Sequence, residues 1–553
     1  MTAPETDPVV DGPTRILTSV LEQIPGVVAF KGKWAVIKSK LDDLHTLLLD
    51  SSDFPASTSN LLFLDLLRSI SHTLDDAALL AAKCQSSNFL SEGKLKTQSD
   101  LDSVLARLDR HVSDGELLIR SGVLHDVFSG SSSKRDAVRA ESRNLLTRLQ
   151  IGGAESRNSA IDSLLRLLGE DDKNVMIAVA QGIVPVLVRL LDSNSWEMKE
   201  KTVAAISRVS MVESSKHALI AEGLPLLNHL IRILESGTGF AKEKACIALQ
   251  SLTLPMENAR AIGSRGGISS LLDICQAGTP ASQAFAAGVL RNLAAVEETR
   301  ENFMEENAVY VLMGLAASGT PSAQENAFGC LSSLVKEDDE LKVLIVKEGG
   351  MECLSNFWES CPPVRCLEAA LQLISHLASN EAIAEVLVSH GFVSKVTSVL
   401  NCEVLGVRVA AAKAVYQLGY SSRSRKEMGG SAEGCVSLLI RMLDGKGVEE
   451  KEAAAMALSR LVLCPGNRRV FRKDERGLVT AVQLLDPNVE NLDKRYPIAI
   501  LSSLVHSSKC AKQMVAAGAC LHLRSLVDME VEGAKKLLEG LGKGKIWGVF
   551  ARP

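Results

Sequence analysis

The feature that most constrains this chain is a repeat of about 42 residues that runs from Gly182 to Gly518. Gly or Asn recurs between apolar helical segments, and both tolerate the positive φ of a tight turn. The intervals between successive turns are 41, 43, 41, 42, 42, 43, 43 and 41 residues. A period of this length, without an alternating strand pattern, predicts an all-α helical solenoid. The predicted turn residues are Gly182, Gly223, Gly266, Asn307, Gly349, Gly391, Gly434, Gly477 and Gly518.

Each unit repeats the same order of three helices, and the stretch Thr279–Ala308 shows this order most clearly. A middle helix follows the turn, a longer helix with adjacent small residues such as Ala286 and Ala287 comes next, and a short helix precedes the following turn. Small residues let helix backbones approach closely where three helices meet. The order resembles the armadillo repeat from about Ala154 to the C-terminus. That resemblance implies an armadillo-type right-handed helical solenoid of eight or nine three-helix units.

The N-terminal part of the chain is helical without this period, and four amphipathic segments predict a helical bundle. The segments are Arg15–Ile24, Trp34–Leu49, Leu61–Lys83 and Gln98–Val112. We therefore expect a disordered tail at residues 1–13, an N-terminal bundle at 14–128, a linker with a helical segment at 129–153 and the solenoid at 154–553.

Parts of the predicted bundle resemble a known domain. Ala77–Ser86, Gly93–Leu95 and Asp100–Val104 are similar to the N-terminal helical domain of plant U-box ubiquitin ligases. The segment Ser129–Ile151 is too short to hold a U-box, and no Cys-Pro-Ile with a following Asp-Pro-Val occurs. The whole chain resembles a plant armadillo-repeat family that has this N-terminal domain without the U-box. The resemblance implies a protein-interaction role and leaves the partner open.

Composition narrows the expected partners and compartment. A net charge of −5 gives no reason to expect a nucleic-acid partner, because proteins that bind polyanions normally carry a basic surplus. The 12 cysteines are scattered rather than paired by spacing, as in reduced proteins of the cytoplasm or the nucleus. No apolar run is long enough for a transmembrane segment, and Thr2 stands where N-myristoylation needs Gly.

Candidate catalytic and metal motifs are weak. Gly540–Lys545 resembles a phosphate-binding loop, but its glycine spacing is wrong and Ile546 stands where Ser or Thr is needed. Four possible zinc ligands include only one pair near the spacing of zinc sites: Cys353, Cys361, Cys366 and His376. We expect no catalytic residue, cofactor, metal or small-molecule substrate, while a paired-acid site formed by distant residues stays open.

The polar loop Gly130–Arg135 has two interpretations. Serine beside basic residues is a common kinase target, and an added phosphate could re-dock the bundle. The alternative is a linker that caps the next helix, which the local composition favours.

The armadillo resemblance also implies a partner-binding groove, because the third helices of that fold line a concave face. The corresponding positions are Arg208, Ser251, Asn292, Ser333, His376, Gln417, Arg460 and Ser503. Only one of them is Asn, and no Trp stands four residues before any of them. The ladder with which nuclear-import receptors bind basic peptides is therefore missing. For each of these side chains, a solvated polar face is as good an explanation as partner contact.

A positive strip is predicted in the N-terminal half of this groove. Lys201 and Lys244 precede Arg208 and Ser251 by seven residues, so the two members of each pair share one face of a helix. Such a strip favours an acidic or phosphorylated protein segment. A glutamate directly before each lysine is close enough in sequence to neutralise the strip.

These patterns favour a non-enzymatic scaffold or adaptor that binds protein partners along the groove. Three alternatives from other classes stay open. One is an accessory or substrate-recruiting factor for ubiquitin ligases that pairs through the bundle. Another is a membrane-associated tether similar to the vacuolar armadillo protein of fungi, whose acylated N-terminal motif is missing here. The third is an enzyme with a closed pocket of perturbed titratable groups.

Overall fold

The computed structural model describes residues 8–52, 54, 60–85, 93–124, 134–429 and 434–543. Within these ranges the chain consists of helices and turns, and no β-strand is present. This all-helical architecture is the one that the spacing of the apolar residues predicts. The chain forms two compact units, Met1–His229 and Leu230–Pro553, and the boundary falls within a helix instead of in the linker expected at residues 129–153.

Four long helices open the first unit, one for each segment predicted for the bundle. They are α1 (Pro8–Gln23), α2 (Lys31–Ser52), α3 (Leu61–Gln85) and α4 (Lys94–Arg120). Their apolar faces meet in a core that includes the fully buried side chains of Trp34 and Phe63. Because α1 starts at Pro8, residues 8–13, which were assigned to a disordered tail, are helical.

A buried polar contact joins α3 and α4. Thr73 Oγ1 and His111 Nε2 are 2.9 Å apart, and His111 is only 6 % exposed. Burial, followed by repulsion from Arg107 and Arg110, lowers the pKa of His111 to about 4. The neutral imidazole is therefore the form that the folded bundle accommodates.

The rest of the first unit consists of shorter helices. They are α5 (Lys134–Ile151), α6 (Ala154–Glu170), α7 (Asp172–Ala180), α8 (Ile183–Leu190), α9 (Trp196–Ser210) and α10 (Lys216–Ala221). The helix of the expected linker, α5, packs against α6, α7 and α8. Ser131, Ser132 and Ser133, the candidate kinase sites, lie outside the described residues.

Helix α11 (Gly223–Ser236) contains the unit boundary, and the second unit continues the three-helix order to residue 543. We call the helices after each turn second helices, the longer ones third helices and the short ones first helices.

The second helices of this unit are α14 (Gly267–Ala277), α17 (Ala308–Ser318), α20 (Gly350–Glu359), α23 (Phe392–Ser398), α26 (Cys435–Leu443), α29 (Glu475–Gln483) and α32 (Ala519–Asp528). The third helices are α12 (Gly239–Leu252), α15 (Pro280–Ala294), α18 (Pro321–Val335), α21 (Val364–Leu377), α24 (Leu405–Leu418), α27 (Val448–Leu461), α30 (Arg495–Leu504) and α33 (Ala534–Lys543). The first helices are α13 (Met256–Gly263), α16 (Arg300–Glu305), α19 (Asp339–Lys347), α22 (Glu381–Ser389), α25 (Ser422–Gly429), α28 (Pro465–Lys473) and α31 (Ser508–Ala516).

Eight of the nine predicted turn residues have a positive φ, from 53° at Asn307 to 89° at Gly518. Gly477 is the exception, because it lies inside α29. Its backbone N–H donates to the side chain of Asp474 at 2.8 Å, so an aspartate cap starts this helix where the other units use a left-handed turn. A Cβ on Gly477 would lie 2.7 Å from Cγ2 of Ile440, and close packing on α26 therefore explains this glycine.

Small residues and caps explain how the third helices stack. Thr279 and Thr320 cap α15 and α18 by accepting from the N–H groups three residues later, at 3.2 and 3.3 Å. Consecutive third helices from α12 to α30 pack on one another, and Ala286 and Ala287 in α15 are fully buried. The predicted close approach of helix backbones at adjacent alanines is thus present in this unit.

Replacing Ala287 with leucine tests this packing. Ala287→Leu should overpack the junction and lower the free energy of unfolding by roughly 1–3 kcal/mol. Because damage in a solenoid spreads mainly to neighbouring units, thermal melting should broaden or split. Ala317→Leu, on the exposed side of α17, is the control and should leave the melting curve unchanged. An Ala287→Leu protein with the wild-type midpoint and sharpness would contradict the buried position.

The low pKa of His111 predicts a loss of stability in mild acid. Above pH 6.5 the imidazole is neutral in both states, but between pH 6.5 and about 4 only the unfolded chain takes up the proton. This histidine should therefore cost the fold roughly 3 kcal/mol as the pH falls through that window. The measurement is the unfolding free energy of wild type minus that of His111→Gln from pH 7 to pH 4. Parallel curves for the two proteins would show that His111 titrates normally.

Candidate functional site

The candidate site is the third-helix face, which we define as the half-buried residues along the third helices. The structure places all ten predicted groove residues on such helices or on α9, and each of them is half-buried: Lys201, Arg208, Lys244, Ser251, Asn292, Ser333, His376, Gln417, Arg460 and Ser503. Whether they contact a partner stays a prediction. Their own contacts show what they do within the chain.

Three of these side chains in the second unit reach back one repeat. Asn292 Nδ2 donates to the backbone O of Gln250 at 3.1 Å, and Arg460 NH1 donates to the backbone O of Tyr416 at 3.3 Å. His376 Nδ1 lies 3.0 Å from the backbone O of Ser332. Each acceptor lies in the last turn of the preceding third helix, where carbonyls lack a partner within their own helix. These positions therefore cap the neighbouring repeat.

The same arrangement occurs in the first unit, where Arg208 Nε donates to the backbone O of Leu168 in α6 at 2.9 Å. In the second unit, Ser333 and Ser503 bond within their own helices, to the backbone O of Gly329 and of Ile500. Internal hydrogen bonds thus occupy most of the predicted groove side chains.

Internal ion pairs also occupy the predicted positive strip. Lys201 Nζ lies 2.9 Å from Asp162 and 2.8 Å from Glu197. Hydrogen bonds to Glu197 and Asp162 raise the pKa of Lys201. Arg208 NH2 lies 2.5 Å from Asp172.

Lys244, in the second unit, lies 3.1 Å from Glu243 and above the ring of Phe240. The sequence suggested that the glutamate before each lysine neutralises its positive charge, and this is so for Lys244. The charges of Lys201 and Arg208 are neutralised by acidic residues at other positions. The strip therefore offers a partner little uncompensated charge.

The second unit also has an aromatic cluster that the sequence patterns did not indicate. Tyr416 of α24 and Tyr496 of α30 make an edge contact, with ring centroids 6.2 Å apart. The guanidinium of Arg460, on α27 between them, lies 3.9 Å from the Tyr416 ring centroid. We call Tyr416, Arg460 and Tyr496 the tyrosine face, and all three side chains are half-buried. Burial raises the pKa of Tyr496, so its phenol stays protonated and can donate a hydrogen bond.

The sequence contains a signal for this cluster. The whole chain has only four tyrosines, and three of them, Tyr416, Tyr420 and Tyr496, belong to α24, α30 or the turn after α24. Tyr416 and Tyr496 are 80 residues apart, close to two periods. Residues at multiples of the period recur on the same face of a solenoid.

Within the described residues, the weak metal motif is not assembled into a site. Cys366 Sγ donates to the backbone O of Pro321, Cys353 Sγ donates to that of Met313, and His376 bonds to Ser332. In the described ranges, no group of three or more His, Cys, Asp or Glu side chains could hold a metal ion. Gly540 packs against Val505 within the last helix, while Lys545 lies outside the described residues.

Most of the cysteines are buried. All 12 are free, and burial raises the pKa of the Cys275 and Cys435 thiols to about 12. A protonated thiol is neither a nucleophile nor a metal ligand.

Where the structure describes the chain, no single helix has both the length and the apolar composition of a membrane span, and two bent helix pairs meet those criteria only jointly.

Comparison with known proteins identifies one domain and the fold. Residues 13–123 match the model of a domain of unknown function, DUF7032. No curated protein matches the sequence.

Among solved structures, the chain is similar to an engineered protein, with 22 % identity over 73 % of this chain and 99 % of that chain and a TM-score of 0.61. It is also similar to a chain from a structure reported for a phosphorylation switch that controls the interaction between cadherin and β-catenin. That likeness has 18 % identity over 85 % of this chain and 90 % of that chain, with a TM-score of 0.62. A designed armadillo repeat protein matches 42 % of this chain and 98 % of its own length at 19 % identity, with a TM-score of 0.38. The repeat order and the likeness to the first two structures show an armadillo-type α-solenoid.

Proposed function

We propose that this protein is a non-enzymatic adaptor that binds a partner protein along the third-helix face, with the tyrosine face at the centre of the contact. The observation that carries the proposal is the cluster of Tyr416, Arg460 and Tyr496 on three consecutive third helices. Tyrosine and arginine are enriched at the energetic centres of protein interfaces. Their clustering in a chain with only 4 % aromatic residues favours a dedicated surface.

The geometry supports an extended segment as the ligand. The armadillo fold implies that the third helices line a concave face, and a segment lying across them would meet α24, α27 and α30 in turn. Lys413, exposed on α24 one turn before Gln417, adds a positive charge beside the cluster. An aromatic or apolar anchor flanked by acidic or phosphorylated residues would complement both features.

The compartment we propose is the cytoplasm, the nucleus or both. All 12 cysteines are free, and most are buried within helices, which supports a reducing environment.

Several expectations from the sequence stay hypotheses. They are membership of a plant armadillo-repeat family, similarity of the bundle to that of U-box ligases, and the ligase-accessory and membrane-tether functions. No specific observation in the described residues favours either function over the adaptor.

A site-specific crosslinking experiment tests the adaptor proposal. A benzophenone amino acid is placed at Ala499, exposed on α30 beside the tyrosine face, or at the control position Ser437, exposed on α26. In native cell extract, the position on α30 should capture a protein that the position on α26 does not capture. A partner that crosslinks equally from both positions would contradict a specific third-helix contact.

The captured partner is then purified and its affinity is measured with tyrosine variants. Tyr496→Ala should weaken binding by about tenfold or more, because truncating a tyrosine at such a centre costs about 2 kcal/mol or more. Tyr310→Ala removes the remaining tyrosine, 70 % exposed on α17, and should leave the affinity unchanged. Equal affinities for wild type and Tyr496→Ala would remove the tyrosine face from the interface.

A further inference from the structure

A second charged surface lies on two first helices of the second unit. Helix α25 (Ser422–Gly429) contains three basic residues and one acidic residue, and α28 (Pro465–Lys473) contains four basic residues and no acidic one. This concentration of positive charge stands out in a chain whose net charge is −5. We define the basic surface by the six residues Arg423, Lys426, Arg468, Arg469, Arg472 and Lys473.

The six cations of the basic surface differ from those of the predicted groove strip. Lys201, Arg208 and Lys244 each have a carboxylate within 3.1 Å. None of the six side chains on α25 and α28 forms a hydrogen bond or an ion pair with any residue that the structure describes, and all are half-buried or exposed. Their positive charge is therefore uncompensated and available to an external anion.

The two helices are held together firmly. Asn467, only 2 % exposed, donates from Nδ2 to the backbone O of Arg425 in α25 at 2.8 Å and to the backbone O of Leu461 at 3.1 Å. Gly429 makes this approach possible, because a Cβ there would lie 1.7 Å from Oδ1 of Asn467. A buried, doubly bonded link fixes α25 relative to α28, so the basic surface is organised before any ligand binds.

The surroundings of the basic surface restrict the size of its ligand. On the first helix of the preceding repeat, α22, Glu381 and Glu385 are exposed, and that helix contains no lysine or arginine. Asp474 and Glu475 directly follow α28, and both are engaged within the chain, Asp474 with the backbone N–H of Gly477 at 2.8 Å and Glu475 with Lys509 at 3.1 Å. A membrane or a long nucleic acid presents negative charge over a wide area and would meet the carboxylates of α22, which repel it. A short anionic segment can stay within the basic area.

The residue types and their spacing favour anionic side chains on an extended peptide. Four of the six cations are arginines, whose guanidinium can grip a phosphate or a carboxylate with two donors. Arg468 and Arg472, like Arg469 and Lys473, are four residues apart on α28, which corresponds to about 6 Å along a helix. Alternate side chains of an extended peptide are spaced by about 6.6 Å. The two spacings nearly match.

We propose that the basic surface on α25 and α28 binds a short extended segment of a partner protein that carries phosphorylated side chains at alternate positions. This site is separate from the tyrosine face, and it holds whether or not the third-helix face binds a partner. Phosphorylation of the partner would then control its recruitment, because only the phosphorylated segment supplies enough negative charge.

Binding of synthetic probes to the full-length chain tests this proposal. The probe is a fluorescein-labelled peptide with three phosphoserines at alternate positions, and fluorescence anisotropy reports its binding at low and at physiological salt. The comparison probes are the unphosphorylated peptide, phosphatidylcholine–phosphatidylserine vesicles and single-stranded oligothymidylate. Only the phosphopeptide should bind at physiological salt. Tighter binding of the vesicles or of the oligonucleotide would overturn the proposal and assign the surface to that ligand.

Charge-reversal variants locate the binding site. The variant Arg469→Glu, Arg472→Glu and Lys473→Glu should lose about tenfold or more in affinity for the phosphopeptide. The control Lys446→Glu, Lys535→Glu and Lys536→Glu reverses the same number of exposed charges elsewhere and should change the affinity by less than about twofold. Equal losses in both variants would show that the peptide responds only to net charge.

Two further variants test for misfolding of the charge-reversed protein and for a contribution of the tyrosine face. If the charge-reversed protein does not fold, Arg469→Gln, Arg472→Gln and Lys473→Gln remove the charge without adding repulsion and should give the same loss. Wild-type affinity in this variant would overturn the proposal. Tyr496→Ala should bind the phosphopeptide as tightly as wild type does. Failure of the basic surface is therefore distinguishable from failure of the tyrosine face.

Discussion

The hydrogen bond from one third helix to the end of the preceding third helix is the interaction on which the rest of the solenoid depends. A helix leaves its last carbonyls without internal partners, and burying them unpaired is costly. In the second unit, Asn292, His376 and Arg460 each bond to such a carbonyl in the repeat before. Arg408 and Glu450, 2.6 Å apart, add an ion pair between α24 and α27. At the three capped junctions, one repeat thus completes the one before it.

These bonds between repeats limit which surfaces a partner can bind. Most side chains at the predicted groove positions are engaged in caps and ion pairs, so they are poor candidates for strong external contacts. Arg460 is the exception, because its guanidinium also lies against the ring of Tyr416. Two surfaces of the second unit have unused binding capacity. The tyrosine face offers aromatic area on α24 and α30, and the basic surface offers unpaired charge on α25 and α28. The two lie on helices of different types, so one partner could use both or two partners could use one each.

The sequence predicted those features that depend on local patterns. The helices of the bundle, the eight left-handed turns and the burial of Ala287 follow from apolar spacing and from the conformational needs of Gly and Asn. The predicted turn at Gly477 was wrong. A glycine recurs at this position of the repeat because it packs closely, and it forms no left-handed turn. The sequence could not predict the ion pairs of Lys201 with Asp162 and of Arg208 with Asp172, because the partners lie nearly one repeat apart. A comparison of residue types at positions one or two repeat periods apart would have indicated the tyrosine face and the basic surface.

The most direct test of this account is amide hydrogen exchange on wild type and on Asn292→Ala, which removes the bonds from Asn292 Nδ2 to Gln250 O and Thr253 Oγ1. If inter-repeat caps hold the solenoid together, exchange should rise near the end of α12 and in α15, and it should stay unchanged in α30 and α31. Unaltered exchange around Gln250, or an equal rise in all repeats, would contradict the claim that the cap from α15 holds the end of α12.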